Sequence, residues 1–135
     1  MPSPTAKNLA DDMLKSILIV GAGSFLGGAL RFVISSLMKG VCASSFPWAT
    51  LTVNLLGCLF IGVIYGLSVR YSSVSHTMCL LLATGFCGGF TTFSAFANEG
   101  VQMLQSGNLG AFATYVSMSL VLGMLLVMLG YIVVR

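Results

Sequence analysis

An all-α membrane protein with four transmembrane helices is the fold class this sequence predicts, and three observations predict it. Of the 135 residues 57% are hydrophobic and only 7% charged, and the mean hydropathy is +1.01. A soluble globular domain carries roughly 25% charged residues, so nine formal charges do not supply a water-facing surface. A lipid-facing surface needs none, because lipid tails are as apolar as Leu. Four apolar windows, residues 16–38, 48–69, 77–104 and 109–134, each reach the about 20 residues that a spanning helix requires. Backbone groups in hydrocarbon must be satisfied within their own segment, so these spans are helices.

The intervals between them, residues 39–47, 70–76 and 105–108, hold the turn formers and most of the remaining charges, as linkers do. Residues 1–15 read as a polar extramembrane leader ending in an amphipathic turn, and residues 16–135 as one four-helix domain. The leader has no small-residue cleavage site, and the first apolar run is too long for a signal-peptide core. Lys7, Lys15, Arg70 and Arg135 fall on the N-terminal side and Lys39 on the other, a slight positive-inside bias toward a cytoplasmic N-terminus. The net charge of +3 comes without a basic, aromatic-interleaved patch, so no nucleic-acid partner is expected. Cys42, Cys58, Cys79 and Cys87 form no C-x-x-C or Cys/His spacing and read as small hydrophobes. Glycines spaced four apart, at 23 and 27, 62 and 66, and 85 and 89, predict close helix approach within or between subunits.

Chemistry concentrates in the third window, in Gly85-Phe86-Cys87-Gly88-Gly89-Phe90-Thr91-Thr92-Phe93-Ser94-Ala95-Phe96. Each Gly costs about 1 kcal/mol against Ala in a helix, and two beside β-branched residues invite a break over residues 88–92. A break at membrane depth is tolerated where it is buried in protein or lines a cavity, and its freed carbonyls are hard ligands for a small cation. A straight, tilted helix with a glycine packing face is the alternative. Phe93 and Phe96, three apart, share a helix face. Their electropositive ring edges suit weak anion contact, although such a pair also serves as plain core. Asn54 offers two amide donors inside the second span, on a stripe with Thr50 and Cys58. Tyr115, Ser119 and Gly123 form a comparable stripe in the fourth. Arg31, near the end of the first span, either snorkels or draws anions to a vestibule. Glu99, the one acid past the leader, is either functional or hydrated at a helix end. No Ser/His/Asp or Cys/His set, carboxylate pair or phosphate loop emerges, which argues against an enzyme.

Taken together, three blocks resemble the small fluoride-channel family known as Fluc or CrcB. They are Gly27-Gly28-Ala29-Leu30-Arg31-Phe32, the run from Pro47 to Gly57, and the run from Gly85 to Phe96 followed by Asn98-Glu99. The family usually has a second hydroxyl residue where this chain has Ala95. The resemblance implies an antiparallel, dual-topology homodimer in the bacterial plasma membrane, with two parallel pores and passive fluoride efflux. It implies a structural Na⁺ on the two-fold axis, held by main-chain carbonyls matching Gly88 and Thr91. It implies a fluoride path past positions matching Phe93, Phe96 and Asn54, with Thr92 and Ser94 beside the rings and hydroxyls matching Tyr115 and Ser119. Arg31 matches the vestibule arginine.

Two other readings compete. A small proton-coupled multidrug antiporter needs a carboxylate in its first span, and residues 16–38 have none. A non-transporting membrane assembly subunit accounts for the glycines but not for the break, the Phe pair and Asn54 together.

Overall fold

Four long helical spans, residues 8–39, 48–70, 76–105 and 109–134, have the length and composition to cross a membrane. The computed structural model describes residues 6–41 and 44–135; Cys42 lies outside them. α1 (Ala6–Val41) is 36 residues long, or about 54 Å against a hydrocarbon core of about 30 Å. Helix therefore begins at Ala6, ten residues before the expected apolar window and within the stretch read as a polar leader. α2 (Trp48–Arg70) and α6 (Leu109–Val134) are unbroken.

The third span is built from four pieces. A short α3 (His76–Cys79) is N-capped by Ser75, whose side chain accepts from the Met78 N–H. It runs into a π-helical stretch, Leu80–Cys87, then one α-turn, α4 (Gly88–Phe90). After Thr91 and Thr92 the chain resumes as α5 (Phe93–Gln105). The wider π pitch begins eight residues before Gly88, a feature not anticipated from the sequence. Gly107, with φ of +73°, makes the left-handed turn into α6, and Asn108 caps that helix by accepting from Ala111 N–H at 3.1 Å.

Small residues set the spacing of the layers. A Cβ on Gly23 would come within 2.8 Å of Phe86 N, and one on Gly27 within 2.8 Å of Phe90 N. α1 therefore lies with its backbone against the π stretch and α4, and Ser24 Oγ donates to Gly85 O at 3.2 Å. On the other side, Gly62 and Gly66 of α2 meet α6, where a Cβ on Gly130 would reach Val63 N at 2.9 Å. The four-residue glycine spacing is thus used inside the chain, α1 on the third span and α2 on α6. Leu51, Met103 and Tyr115 form the core that joins α2, α5 and α6, with Phe96 and Phe112 packed against it. Phe25, Phe32, Ile132 and Val133 point outward and exposed, as lipid-facing side chains do.

Candidate functional site

The break in the third span occupies two residues. Thr91 (φ −82°, ψ 162°) and Thr92 (φ −149°, ψ 115°) are extended, whereas Gly88 keeps helical angles of −62° and −38°. The expected unwinding over residues 88–92 is therefore corrected to Thr91 and Thr92. Thr91 closes the upstream helix doubly, its N–H donating to Cys87 O at 3.0 Å and its hydroxyl to the same oxygen at 2.9 Å. A hydroxyl bonded back to residue i−4 competes with helix propagation. Thr92 starts the downstream helix as its N-cap, Oγ1 accepting from Ala95 N–H at 3.2 Å.

Polar side chains from two other helices occupy the groups that the break frees. In an unbroken helix the Thr92 N–H would donate to Gly88 O. Here it donates to Asn54 Oδ1 at 2.8 Å, and Asn54 Nδ2 donates in turn to Thr92 O at 3.1 Å. The Asn54 amide thus reads the peptide groups of Thr92 with both its ends, and Gly88 O loses its helical donor. Arg31, one turn beyond Gly27, donates from Nη1 to Thr91 O at 3.1 Å. The arginine expected as a vestibule charge is accordingly bound to the break itself. An unpaired backbone group in an apolar medium costs several kcal/mol, so these contacts are what make an extended pair of residues tenable here.

The break opens onto a groove of about 440 Å³, walled by Asn54, Thr91, Thr92, Phe93, Phe96 and Ser119 among others. The ring centroids of Phe93 and Phe96 lie 5.8 Å apart at an interplanar angle of 41°. Phe93 is 79% exposed. Phe96 leans on Tyr115, centroids 5.0 Å apart. Ser94 Oγ sits 3.3 Å from Thr92 Oγ1. Ser119 Oγ is buried with no hydrogen-bond partner among the described residues, a state that buried hydroxyls rarely keep. Gly88 also faces this groove, with open space where a Cβ would stand.

Behind Phe96 lies a second polar cluster. Glu99 accepts from Thr50 Oγ1 through Oε1 and from the Tyr115 hydroxyl through Oε2, each at 2.7 Å. Tyr115, expected on a hydroxyl track with Ser119, is fully buried and commits its hydroxyl to this carboxylate. Glu99 also borders a smaller cavity of about 280 Å³ with Gln102, Ser106 and Asn108. Phe96 and Tyr115 therefore separate a groove at the break from a polar pocket at the α5–α6 turn. The sequence places Thr50 on the Asn54 stripe and leaves Glu99 open between a functional and a hydrated role; what it does not show is that the two meet, for which the three-residue step from Phe96 to Glu99 is the one local signal. Among the described residues, no cluster of three or more His, Cys, Asp or Glu suited to a metal occurs.

The model of the family described as CrcB-like protein, Camphor Resistance (CrcB) matches residues 18–131. A fluoride-specific ion channel FluC of Azobacteroides pseudotrichonymphae is 44% identical over 120 residues, covering 89% of this chain and 96% of its own. One from Phocaeicola vulgatus is 44% identical over 117 residues, covering 87% and 96%. One from Flavobacterium psychrophilum is 37% identical over 122 residues, covering 90% and 98%. Resemblance in the three sequence blocks therefore extends over nearly the whole length of both partners, and the chain belongs to the CrcB family.

Proposed function

We propose that this protein is a fluoride-selective ion channel that lets fluoride leave the cytoplasm passively. The observation that carries the proposal is the groove at the Thr91–Thr92 break, where two phenylalanine rings, an asparagine amide and an unsatisfied serine hydroxyl converge. The relatives named as fluoride-specific ion channels support the same reading and lend none to a drug antiporter or an assembly subunit.

The chemistry suits a small, strongly hydrated anion. Conduction requires binding strong enough to replace hydration and weak enough to release. Ring edges and neutral hydroxyls give partial positive charge without a fixed cation. In this reading fluoride passes Phe93 and Phe96, with Thr92, Ser94 and the Asn54 amide beside it, and Ser119 Oγ donates to it from α6. Tyr115 and Glu99 stand beyond Phe96, toward the pocket at the α5–α6 turn. Arg31 supplies positive potential at the break while holding the Thr91 carbonyl.

A single chain leaves this groove open on one side, with Phe93 at its rim. An antiparallel, dual-topology homodimer would cover it and give two such paths. The slight charge asymmetry of the loops is compatible with insertion both ways. The bacterial plasma membrane is the corresponding location. A Na⁺ at the two-fold axis fits the residues present. Gly88 O lacks its helical donor, and Thr91 O, with one lone pair on Arg31, keeps another. Two carbonyls from each subunit would give four hard oxygen ligands. When bound, such an ion supplies fixed positive charge and pins the two breaks together.

Fluoride-electrode recordings from liposomes holding the purified protein test the function. Efflux without an imposed proton gradient is the expected result. Drug exchange coupled to protons, or no flux at all, overturns it in favour of the antiporter or the subunit.

A further inference from the structure

At the opposite end of the α2–α6 pair from the Glu99 pocket, two arginines are gathered at one corner. The glycine contacts that run along α2 and α6 continue to the last turns, where a Cβ on Gly66 would lie 2.7 Å from Tyr131 O. That closeness lets Arg70 cross from α2 and donate from Nη1 to Val134 O at 3.3 Å, next to Arg135. The Arg70 guanidinium stands 5.3 Å from the Tyr71 ring centroid, and that of Arg135 stands 5.5 Å from Tyr131. Both side chains are exposed.

The position along the bilayer follows from length. α2 has 23 residues, about 34 Å, slightly more than the hydrocarbon thickness of about 30 Å. It starts at Trp48 and is followed by Tyr71, and Trp and Tyr mark the headgroup level. Arg70 and Arg135 therefore sit at that level. Each guanidinium carries five N–H donors; the Val134 contact uses one, and the tyrosine faces use none. Arginine pairs phosphate with two parallel hydrogen bonds, and basic clefts between transmembrane helices favour anionic lipid headgroups. Glu99, the only acid beyond residue 12, is already engaged at the far end by Thr50 and Tyr115.

We infer that Arg70 and Arg135, held over Tyr71 and Tyr131 where α2 and α6 end, form a binding site for the phosphates of an anionic phospholipid, best matched by a headgroup with two phosphates. The site is separate from the groove at the break, so its occupancy stabilises the α2–α6 corner without entering the conduction path.

Native mass spectrometry of the full-length protein in detergent, titrated with cardiolipin, phosphatidylglycerol or phosphatidylcholine, tests this. Wild-type protein is expected to retain cardiolipin at least about tenfold more tightly than phosphatidylcholine, a difference of about 1.4 kcal/mol. The double substitution Arg70→Gln with Arg135→Gln should remove that preference, whereas Lys39→Gln at the other end of the bundle should keep it. Equal retention of the two lipids by the wild type overturns the inference without any variant being needed. So does undiminished cardiolipin preference in the double variant, and so does release of cardiolipin by millimolar inorganic phosphate, which would mark a site for a soluble anion.

Discussion

Replacing Asn54 with aspartate changes one atom of the amide that grips Thr92. Oδ1 continues to accept from Thr92 N–H, now at 2.8 Å from a carboxylate. The other contact, Nδ2 to Thr92 O at 3.1 Å, becomes two acceptors facing each other. The lost hydrogen bond is worth about 0.5–1.5 kcal/mol, and the orphaned carbonyl costs about 1–3 kcal/mol. Together these disfavour the open break by about 1.5–4.5 kcal/mol. At 1.4 kcal/mol per factor of ten, Asn54→Asp should cut fluoride flux by about tenfold or more. The new negative charge facing the groove works in the same direction, since unit charges about 5 Å apart at an effective dielectric of about 20 repel by about 3 kcal/mol. Protonating the aspartate restores an O–H donor toward Thr92 O, so part of the flux should return as the pH falls. Liposome efflux measured at several pH values reads both effects. Wild-type flux from Asn54→Asp at alkaline pH would refute the role given to this amide.

Phe96→Ile should strongly reduce fluoride flux with the oligomer unchanged on size exclusion, because it removes a ring edge from the groove while keeping an apolar side chain against Tyr115; unaltered flux would take the ring out of the path. Gly27→Ala puts a methyl group into the carbonyl of Phe86 and near Phe90 N, so it should lower the melting temperature or prevent folding. Gly21→Ala meets nothing within 4 Å and should leave melting unchanged; equal effects of the two would disprove the α1 contact. Tyr115→Phe strips one donor from Glu99 and should destabilise the protein by about 1–3 kcal/mol. In a double-mutant cycle that loss should shrink when Glu99 is already Gln, and strict additivity would show that the 2.7 Å contact is energetically idle.

Composition and apolar runs were enough to read the four spans, because crossing hydrocarbon imposes length and polarity on each segment separately. The site was only partly legible. Gly88 and Gly89 drew attention as helix breakers, yet both lie in helical turns and the extended residues are Thr91 and Thr92. The glycine penalty is measured where water competes for the backbone, and that competition is absent in a packed membrane helix. Gly89 serves the close approach of α1 instead, since a Cβ there would lie 2.7 Å from Ser24 Cα, whereas Gly88 faces the groove with nothing within 4 Å of its Cβ position. The local sign of the break was Thr92, a hydroxyl residue in N-cap position before an apolar helix. Arg31 looked like a free charge because its partner, Thr91 O, lies 60 residues away. The same distance problem hid the carboxylate that joins Thr50 to Tyr115, which only folding brings together.

The central claim is that the break and its rings form a passage for fluoride itself, and a reversal potential tests it most directly. In a planar bilayer with a tenfold fluoride gradient and symmetrical chloride and pH, the current should reverse about 59 mV from zero, at the equilibrium potential of a monovalent ion. Reversal at zero millivolts, or a potential that follows an imposed chloride gradient instead, would contradict it.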